Sequence, residues 1–426
     1  MRYNPLPSRL FKKNRKRLFD KILNNSMAIL NSNDLMPKNA DQLMPFVQNS
    51  DLYYLSGIDQ EETILVLVKK NNICQEFLFI RETSELIKIW EGEKISKEMA
   101  KIQSGIKEVA WSKDFNKKLN EIIPGIENIY LNSNDHPRAE VIVESRDERF
   151  KKMIQKQYPS HKFKKLSSVL YGLRSVKDPA EIKAIQKACD ITNKGVHRVL
   201  SKLKPGVFEY EIEAEIIHEF LINKANGFAY EPIIASGENA CVLHYNTNNA
   251  VCKDGDVVLM DFGAEYANYS SDLTRCFPVN GKFTKRQKEV YNSVLRVMNS
   301  AKKLLKPGVF LVDYEKNVGK LMEKELVDLG LISMKEIKSQ KETPAYKKYY
   351  MHGTSHHLGL DVHDVSDPNK PLSSGMVLTC EPGIYIPEEG LGIRLENDIL
   401  IGDDKNIDLM ESIPIEASEI EQLLNI

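Results

Sequence analysis

Four carboxylates stand at matched places in the second half of the sequence. The segments GDVVLMDFG and GMVLTCEPG lie 120 positions apart, so Asp261 and Glu381 occupy the same point of a repeat. A second acid follows each segment, Asp272 after the first and Glu396 after the second. The repeat predicts that the four carboxylates converge on the axis between two related halves.

The local register supports this convergence. Asp261 ends an apolar strand, and a turn near residues 267–268 would bring the chain back beside it. Asp261 would then lie opposite Thr274, with Asp272 as its diagonal neighbour on the same face. Diagonal neighbours are about 7–8 Å apart, close enough for two carboxylates to reach one ion.

Four like charges in one pocket need neutralisation. Protonation or pairing with Lys and Arg would supply it, and so would two divalent cations. The second solution is that of a two-metal hydrolase, whose ions lie about 3.5–4 Å apart and activate one water.

Histidines gather beside the second carboxylate pair. Residues 351–363 read MHGTSHHLGLDVH and hold four of the nine histidines of the chain. His244 precedes His363 by 119 positions and is its counterpart in the repeat. The alternation around His363 predicts a strand that directs its imidazole into the cleft. An oxygen-rich ligand set with one imidazole suits Mn²⁺, with Co²⁺ and Zn²⁺ as alternatives.

The elements that position these residues repeat as well. LKPGVF occurs at 203–208 and again at 305–310, each time as a Pro-Gly stop between two helical patterns. The first of these helices begins after Asp178, a predicted N-cap followed by Pro179 and Glu181. The fold class is therefore α+β, with a duplicated catalytic domain at 176–426. Residues 1–170 form a smaller α/β domain, with strands at 26–30, 63–69, 77–80 and 129–132.

Composition excludes several classes of protein. The 426 residues carry 59 basic and 60 acidic side chains, a net charge of −1, so no overall field attracts nucleic acid or an anionic membrane. No apolar run approaches the ~20 residues of a membrane span. Six scattered cysteines indicate free thiols and a cytoplasmic location. Residues 9–21 predict a helix whose seven basic side chains all face solvent.

These motifs together resemble the pita-bread metallopeptidases, and among them the aminopeptidase P group. The resemblance rests on IIASGEN leading to His244, on MDFGAEY and SSDLTR, and on HGTSHHLGLDVHDV, LTCEPGIY and GIRLEND. In the first domain, PFVQNSDLYYLSG at 45–57 is similar to the signature of that group.

The resemblance implies an aminopeptidase that releases the N-terminal residue from peptides with proline in second position. It implies two divalent metal ions, usually manganese, a hydroxide bridging them, and a homodimer or homotetramer. The implied metal ligands are Asp261, Asp272, His356, Glu381 and Glu396, with Asp272 and Glu396 bridging. The implied catalytic residues are His244, His352 and His363 around the substrate, Glu381 as proton shuttle, and Arg394 steadying the pocket.

Two departures from the group accompany the resemblance. The stretch after His363 is shorter than in many relatives, whose longer loop carries an arginine, and Lys370 is the residue that could substitute for it. Val47 stands where relatives often have arginine. A lysine lacks the planar bidentate fork of arginine, so the first departure bears on the handling of longer peptides.

Two other functions remain open from the sequence. A prolidase cleaves Xaa-Pro dipeptides on the same scaffold, and a pita-bread protein without activity would bind peptides only. A pita-bread protein without activity usually lacks metal ligands. In this sequence, residues able to bind a metal occupy all five of the implied ligand positions.

Overall fold

The computed structural model describes residues 2–425, which divide into two compact units. One unit runs from Pro5 to Arg174, and the other from Ser175 onward together with the residues before Pro5. Each unit contains helices and sheets, so the predicted mixed fold class is confirmed. The domain limits 1–170 and 176–426 stay a prediction.

The first unit is built on one six-stranded sheet flanked by helices. Its helices are α1 (Ser8–Phe19), α2 (Ser50–Ser56), α3 (Glu85–Glu91), α4 (Lys97–Ser104), α5 (Phe115–Ile122), α6 (Arg146–Gln157) and α7 (Ser167–Arg174). Its strands are β1 (Ser26–Asn31), β2 (Pro37–Asn39), β3 (Gln42–Leu43), β4 (Ile64–Lys70), β5 (Ile73–Ile80), β6 (Glu108–Trp111), β7 (Asn128–Leu131) and β8 (Lys162–Lys165). The strand order in the main sheet is β6-β5-β4-β1-β7-β8.

The four strands predicted in this unit are present as β1, β4, β5 and β7. The turn between β4 and β5 has positive φ at Asn71 (49°) and Asn72 (62°), the left-handed pair that a tight hairpin requires. Alternate residues of β1 and β4, such as Met27, Ile29 and Val66, are buried against α5 and α6. Burial of this apolar face stabilises the unit.

Helix α1 shows one error of the sequence-based prediction. Its basic side chains were all expected to face solvent, but Arg15 is completely buried. Its guanidinium donates to the backbone oxygens of Leu55 (2.7 Å) and Ser104 (3.1 Å), and it pairs with Glu76 (2.9 Å). Those two oxygens lie at the C-terminal ends of α2 and α4, where helical carbonyls lack internal donors. The buried cation therefore joins three helices.

The second unit contains the repeated halves. Its helices are α8 (Pro179–Leu200), α9 (Glu209–Ile222), α10 (Lys285–Leu304), α11 (Leu311–Asp328), α12 (Met334–Ser339) and α13 (Ala417–Leu424). The strands of the first half are β9 (Gly227–Phe228), β10 (Ile233–Ser236), β11 (Val257–Asp261), β12 (Ala264–Tyr266), β13 (Tyr269–Ser270) and β14 (Thr274–Pro278). Those of the second half are β15 (Val377–Cys380), β16 (Gly383–Ile386), β17 (Leu391–Arg394), β18 (Asn397–Leu400) and β19 (Ile407–Asp408).

The two halves share one strand plan. In the first, β11 pairs with β14 while β12 and β13 form a hairpin in a separate sheet. In the second, β15 pairs with β18 while β16 and β17 form the separate hairpin. The LKPGVF segments precede α9 and α11 in the same way. The structure thus confirms the repeat that the sequence predicts.

Hydrogen bonds from Arg275 link the two halves. Arg275 is completely buried, and its guanidinium donates to the backbone oxygen of Glu396 (2.8 Å), to Asn397 Oδ1 (2.7 Å) and to the backbone oxygen of Pro414 (2.9 Å). These three acceptors are backbone or amide oxygens that lie after the second half of the repeat begins. A side chain of the first half therefore fixes the backbone path of the second.

Two chain-wide expectations can be compared with the structure. No helix within residues 2–425 combines the length and apolar character that crossing a membrane requires. All six cysteines are free thiols.

We expect Arg15→Met to lower the free energy of unfolding of the first unit by about 2–4 kcal/mol, since two buried carbonyl oxygens lose their donor. Both tryptophans of the chain, Trp90 and Trp111, lie in this unit, so urea titration followed by tryptophan fluorescence reports on it alone. The control is Arg9→Met on the exposed face of the same helix, which should change stability by less than about 0.5 kcal/mol. Equal effects of the two variants would reject a special role for Arg15.

Candidate metal centre

The strand plan places the four repeated carboxylates at the ends of strands or in the short gaps between strands. Asp261 is the last residue of β11, and Glu381 follows β15 directly. Asp272 lies in the gap between β13 and β14, and Glu396 in the gap between β17 and β18. A carboxylate in such a gap is free of the strict alternation of a strand and can turn toward the axis between the halves.

The predicted register in the first half is confirmed. Asp261 pairs with Thr274, and the turn at Ala267 (φ 54°) and Asn268 (φ 63°) returns the chain as expected. In the second half Cys380 pairs with Asn397, so Glu381 and Glu396 flank the last pair of that ladder. Glu396 therefore lies just beyond β17, the return strand of the hairpin.

The donor atoms converge as the repeat predicts. One oxygen each of Asp272 and Glu396 and one nitrogen of His356 lie within 4.8 Å of one another. His356 Nε2 is 3.4 Å from Asp272 Oδ2 and 3.6 Å from Glu381 Oε1. Asp261 joins the group through Tyr230, whose hydroxyl lies 2.6 Å from Asp261 Oδ1 and 2.5 Å from Asp272 Oδ1.

The electrostatics of the cluster show how much negative charge is concentrated here. Burial raises the pKa of Glu396 well above its usual range, and the charges of Asp272, Glu381 and Asp261 add to the effect. Burial and the Asp272 charge likewise raise the pKa of Glu381 to about 7, although His356 opposes them. Burial also raises the pKa of Asp261, against the attraction of Arg394. Two cationic side chains face these four carboxylates within the described residues: Arg394 pairs with Asp261, and His356 lies beside Asp272 and Glu381.

His356 is oriented as a ligand. Its Nδ1 lies 3.1 Å from the backbone oxygen of His357, which can only accept, so Nδ1 carries the proton and donates. The other nitrogen, Nε2, faces the carboxylates. Burial alone would lower the pKa of this imidazole, but the hydrogen bond to Asp272 and the charge of Glu381 raise it to about 9. A histidine whose second nitrogen is held by a carbonyl is the usual metal-ligating arrangement.

The donor set fits divalent cations. Four carboxylates and one imidazole, buried and short of positive charge, match the ligand preferences of manganese and accept cobalt or zinc. Aside from Arg394, no arginine or lysine among the described residues forms an ion pair with any of the four carboxylates.

A hydrogen-bonded chain runs along the side of the cluster. Arg394 donates to Asp261 Oδ2 (2.5 Å), to Thr274 Oγ1 (3.1 Å) and to the Tyr385 hydroxyl (2.8 Å). Tyr385 in turn lies 2.8 Å from His352 Nε2. His352 Nδ1 is 2.7 Å from the backbone oxygen of Gly353, so Nδ1 donates and Nε2 accepts from Tyr385. The arrangement fixes one tautomer of His352.

The pKa of His352 agrees with this tautomer. Burial lowers it to about 3, and the positive charge of Arg394 contributes in the same direction. The imidazole is therefore neutral at physiological pH and presents no charge to a bound ligand.

The other two predicted histidines lie at the mouth of the cluster. The His363 ring packs edge-on against His356, with ring centroids 4.4 Å apart, while its side chain is otherwise exposed. The prediction of a strand around His363 was wrong, because residues 361–363 form a series of bends. The buried Lys177–Asp364 ion pair (2.9 Å) and the bond from Asp364 N to His357 O (2.8 Å) shape this loop instead. His244 is exposed and lies near enough to His352 for its charge to lower that residue's pKa.

Sequence reasoning missed two tyrosines. Tyr230 follows β9 and touches two carboxylates, and Tyr385 links Arg394 to His352. Tyr385 belongs to the quoted segment LTCEPGIY, so its position four residues after Glu381 was the available signal. For Tyr230 no motif spacing exists, because its contact depends on how β9 meets β12.

The two positions at which the sequence departs from the group it resembles both lie at the surface. Lys370 is largely exposed and pairs with Asp367 (3.2 Å), three residues before it. Val47 is 66% exposed.

Comparison with known proteins identifies the family. Residues 183–403 match the model of metallopeptidase family M24, and residues 11–130 match that of the aminopeptidase P N-terminal domain. The Xaa-Pro aminopeptidase of Escherichia coli (strain K12) is 35% identical over 97% of both chains. That of Haemophilus influenzae is also 35% identical, over 99% of this chain and 98% of its own.

A solved structure agrees over the whole length. Zn-substituted E. coli aminopeptidase P in complex with product has 33% identity, covers 99% of each chain and superposes with a TM-score of 0.88. The pita-bread architecture expected from the motifs is therefore confirmed. The chain belongs to metallopeptidase family M24 and, within it, to the aminopeptidase P group of proline-specific aminopeptidases.

Proposed function

We propose that Asp261, Asp272, His356, Glu381 and Glu396 hold two divalent cations, with Asp272 and Glu396 as the bridging ligands. The observation that carries this proposal is the orientation of Asp272. Its Oδ1 faces the side of Tyr230 and Asp261, while its Oδ2 faces His356 and, beyond it, Glu381. One carboxylate thus serves both ends of the cluster.

Manganese is the proposed metal, with cobalt and zinc as alternatives. The zinc-substituted E. coli structure supports the proposal that such a site accepts more than one divalent metal. When bound, such a pair of cations lowers the pKa of a water molecule that they share and polarises the scissile carbonyl.

Glu381 is the proposed proton shuttle. Its two oxygens face different groups: Oε1 lies 3.6 Å from His356 Nε2, and Oε2 lies 3.7 Å from His352 Nδ1 on the pocket side. Glu381 would take up the proton of the attacking water and pass it to the proline nitrogen as the peptide bond breaks. Its backbone N–H, bonded to Thr354 O (2.8 Å), keeps the side chain in place for both steps.

The proposed substrate pocket is lined by the three histidines outside the ligand set. His352 is neutral and held by Tyr385, so it offers a ring surface without charge to the proline. His363 and His244 are exposed, and in this proposal they donate hydrogen bonds as charge develops on the attacked carbonyl oxygen. Arg394 steadies Asp261 and Tyr385 together.

Assembly into a homodimer or homotetramer and a cytoplasmic location stay predictions. Helix α3 exposes Leu86 (66%), Ile89 (75%) and Trp90 (80%), an apolar surface compatible with self-association. The six free thiols fit a reducing compartment.

The substrate class is tested by removing metal with a chelator, restoring Mn²⁺, Co²⁺ or Zn²⁺, and comparing three substrates. We expect release of the first residue from an Xaa-Pro-Xaa tripeptide and little cleavage of an Xaa-Ala-Xaa tripeptide. Preference for the Xaa-Pro dipeptide would indicate a prolidase. If the protein binds these peptides but hydrolyses none of them with any of the three metals, it would be a peptide-binding protein.

We expect Asp272→Ala to abolish hydrolysis and to reduce bound metal to less than one ion per subunit, because a bridging ligand serves both cations. Elemental analysis of the metal-loaded variant measures this directly. Asp367→Ala, which removes a partly exposed carboxylate paired with Lys370, should keep full metal content and activity. Two ions still bound to the Asp272 variant would contradict the bridging role.

We expect Tyr385→Phe to lower kcat/KM about 3- to 10-fold with metal content unchanged, since one hydrogen bond in the chain from Arg394 to His352 is lost. The matched control is Tyr291→Phe, because Tyr291 is also buried and its hydroxyl donates to Ile415 O (2.7 Å) away from the cluster. The control should lose stability only. Loss of metal from the Tyr385 variant would show that its role lies in the ligand set.

A further inference from the structure

Glu209 is a completely buried carboxylate outside the metal cluster. It is the first residue of α9, none of its surface is exposed, and it forms no ion pair with any residue in the range 2–425. A buried charge without a cationic partner is costly unless hydrogen bonds replace its hydration.

Five donors surround this carboxylate. Oε1 accepts from Ser236 N (2.8 Å), Ser236 Oγ (2.8 Å) and Asn239 Nδ2 (3.2 Å). Oε2 accepts from the Tyr245 hydroxyl (2.8 Å) and Ala250 N (2.9 Å). The donors begin at the end of β10 and finish fourteen residues later, so one side chain holds both ends and the middle of the loop 236–250.

The far end of this loop is also fixed to the backbone around Glu209. Glu209 N donates to Ala250 O (3.0 Å), and Cys252 N donates to Val207 O (2.8 Å). The LKPGVF segment before α9 therefore serves as the edge against which the loop closes. The negative side chain at the start of α9 is also favoured by the helix dipole.

His244 lies inside the loop that Glu209 holds. Its side chain is exposed and makes no hydrogen bond to any part of the chain that the structure describes. The position of its imidazole near His352 therefore depends on the path of its own backbone. The adjacent residue, Tyr245, is one of the five donors to Glu209.

We propose that Glu209 is a positioning residue for catalysis, which acts by holding the loop 236–250 so that His244 faces the substrate. This inference rests on the proposed role of His244 at the substrate. Within the described residues, the Glu209 side chain forms no hydrogen bond or ion pair with the proposed metal ligands or with His244, His352 and His363. A misplacement of about 1 Å at a substrate-contacting group can cost about 10²-fold in rate, so the clamp has a measurable consequence.

The first test measures the loop itself, by hydrogen–deuterium exchange of the metal-loaded enzyme. Glu209→Gln replaces one acceptor oxygen with an NH₂ group that faces other donors, and we expect amide exchange in 237–250 to rise about tenfold. The control is Glu211→Gln on the same helix, whose exposed side chain accepts from Phe208 N (2.8 Å) and from no other donor within residues 2–425. Unchanged exchange in the Glu209 variant would overturn the inference, whatever the enzyme cleaves.

The second test asks whether Glu209 acts through His244. We expect Glu209→Gln to lower kcat/KM about 10- to 100-fold with both metals retained, and to cause little further loss in a His244→Ala background. Such non-additivity is the signature of two residues that act as one. Equal losses in both backgrounds would assign Glu209 a structural role only. Failure of the wild-type enzyme to cleave any proline peptide would instead refute the proposed function.

Tyr245→Phe provides a second variant if Glu209→Gln does not fold. It removes one of the five donors and leaves the carboxylate in place, so we expect a several-fold loss of kcat/KM that also disappears in the His244→Ala background. Persistence of the loss in that background would count against the positioning role.

Discussion

The repulsion between buried carboxylates is the constraint on which the second unit depends. Asp261, Asp272, Glu381 and Glu396 are brought together where burial disfavours their charged forms, and the pKa values of three of them are raised. Protonation or bound cations reduce this repulsion, and the backbone must also hold the four side chains close together. The remaining contacts of the second unit hold these four side chains in place.

The backbone meets this demand by fixing the chain on both sides of each acid. Glu396 N donates to Thr274 O (3.1 Å), and Thr274 Oγ1 donates to Glu396 Oε2 (2.7 Å). Asp272 N donates to Asp398 Oδ2 (3.0 Å), again across the two halves. Arg275 adds its bonds to Glu396 O and Asn397. Each half therefore helps to position a carboxylate of the other.

Much of this arrangement follows from the sequence, because a repeat is visible in the residues themselves and the register of a hairpin depends on its own strands and turn. To predict that Asp261 pairs with Thr274, it was enough to recognise a strand, place a turn at residues 267–268 and count the residues on each side. The errors arose where packing over long distances decides the outcome. Arg15 looks like a solvated side chain of a basic helix, and only the carbonyls at the ends of α2 and α4 explain its burial. His363 alternates like a strand residue, but the Lys177–Asp364 ion pair and the Asp364–His357 hydrogen bond shape a loop there.

The shared strand plan of the two halves has a consequence for symmetry. A single half supplies two carboxylates and could complete the cluster only against a second copy of itself, in a closed two-fold pair. Joining two copies in one chain removes the requirement that both keep the same residues. In this molecule His352, His356 and Tyr385 come from the second half alone, and Tyr230 from the first. The two sides of the carboxylate cluster therefore carry different side chains, which suits a peptide, since its amino and carboxyl ends also differ.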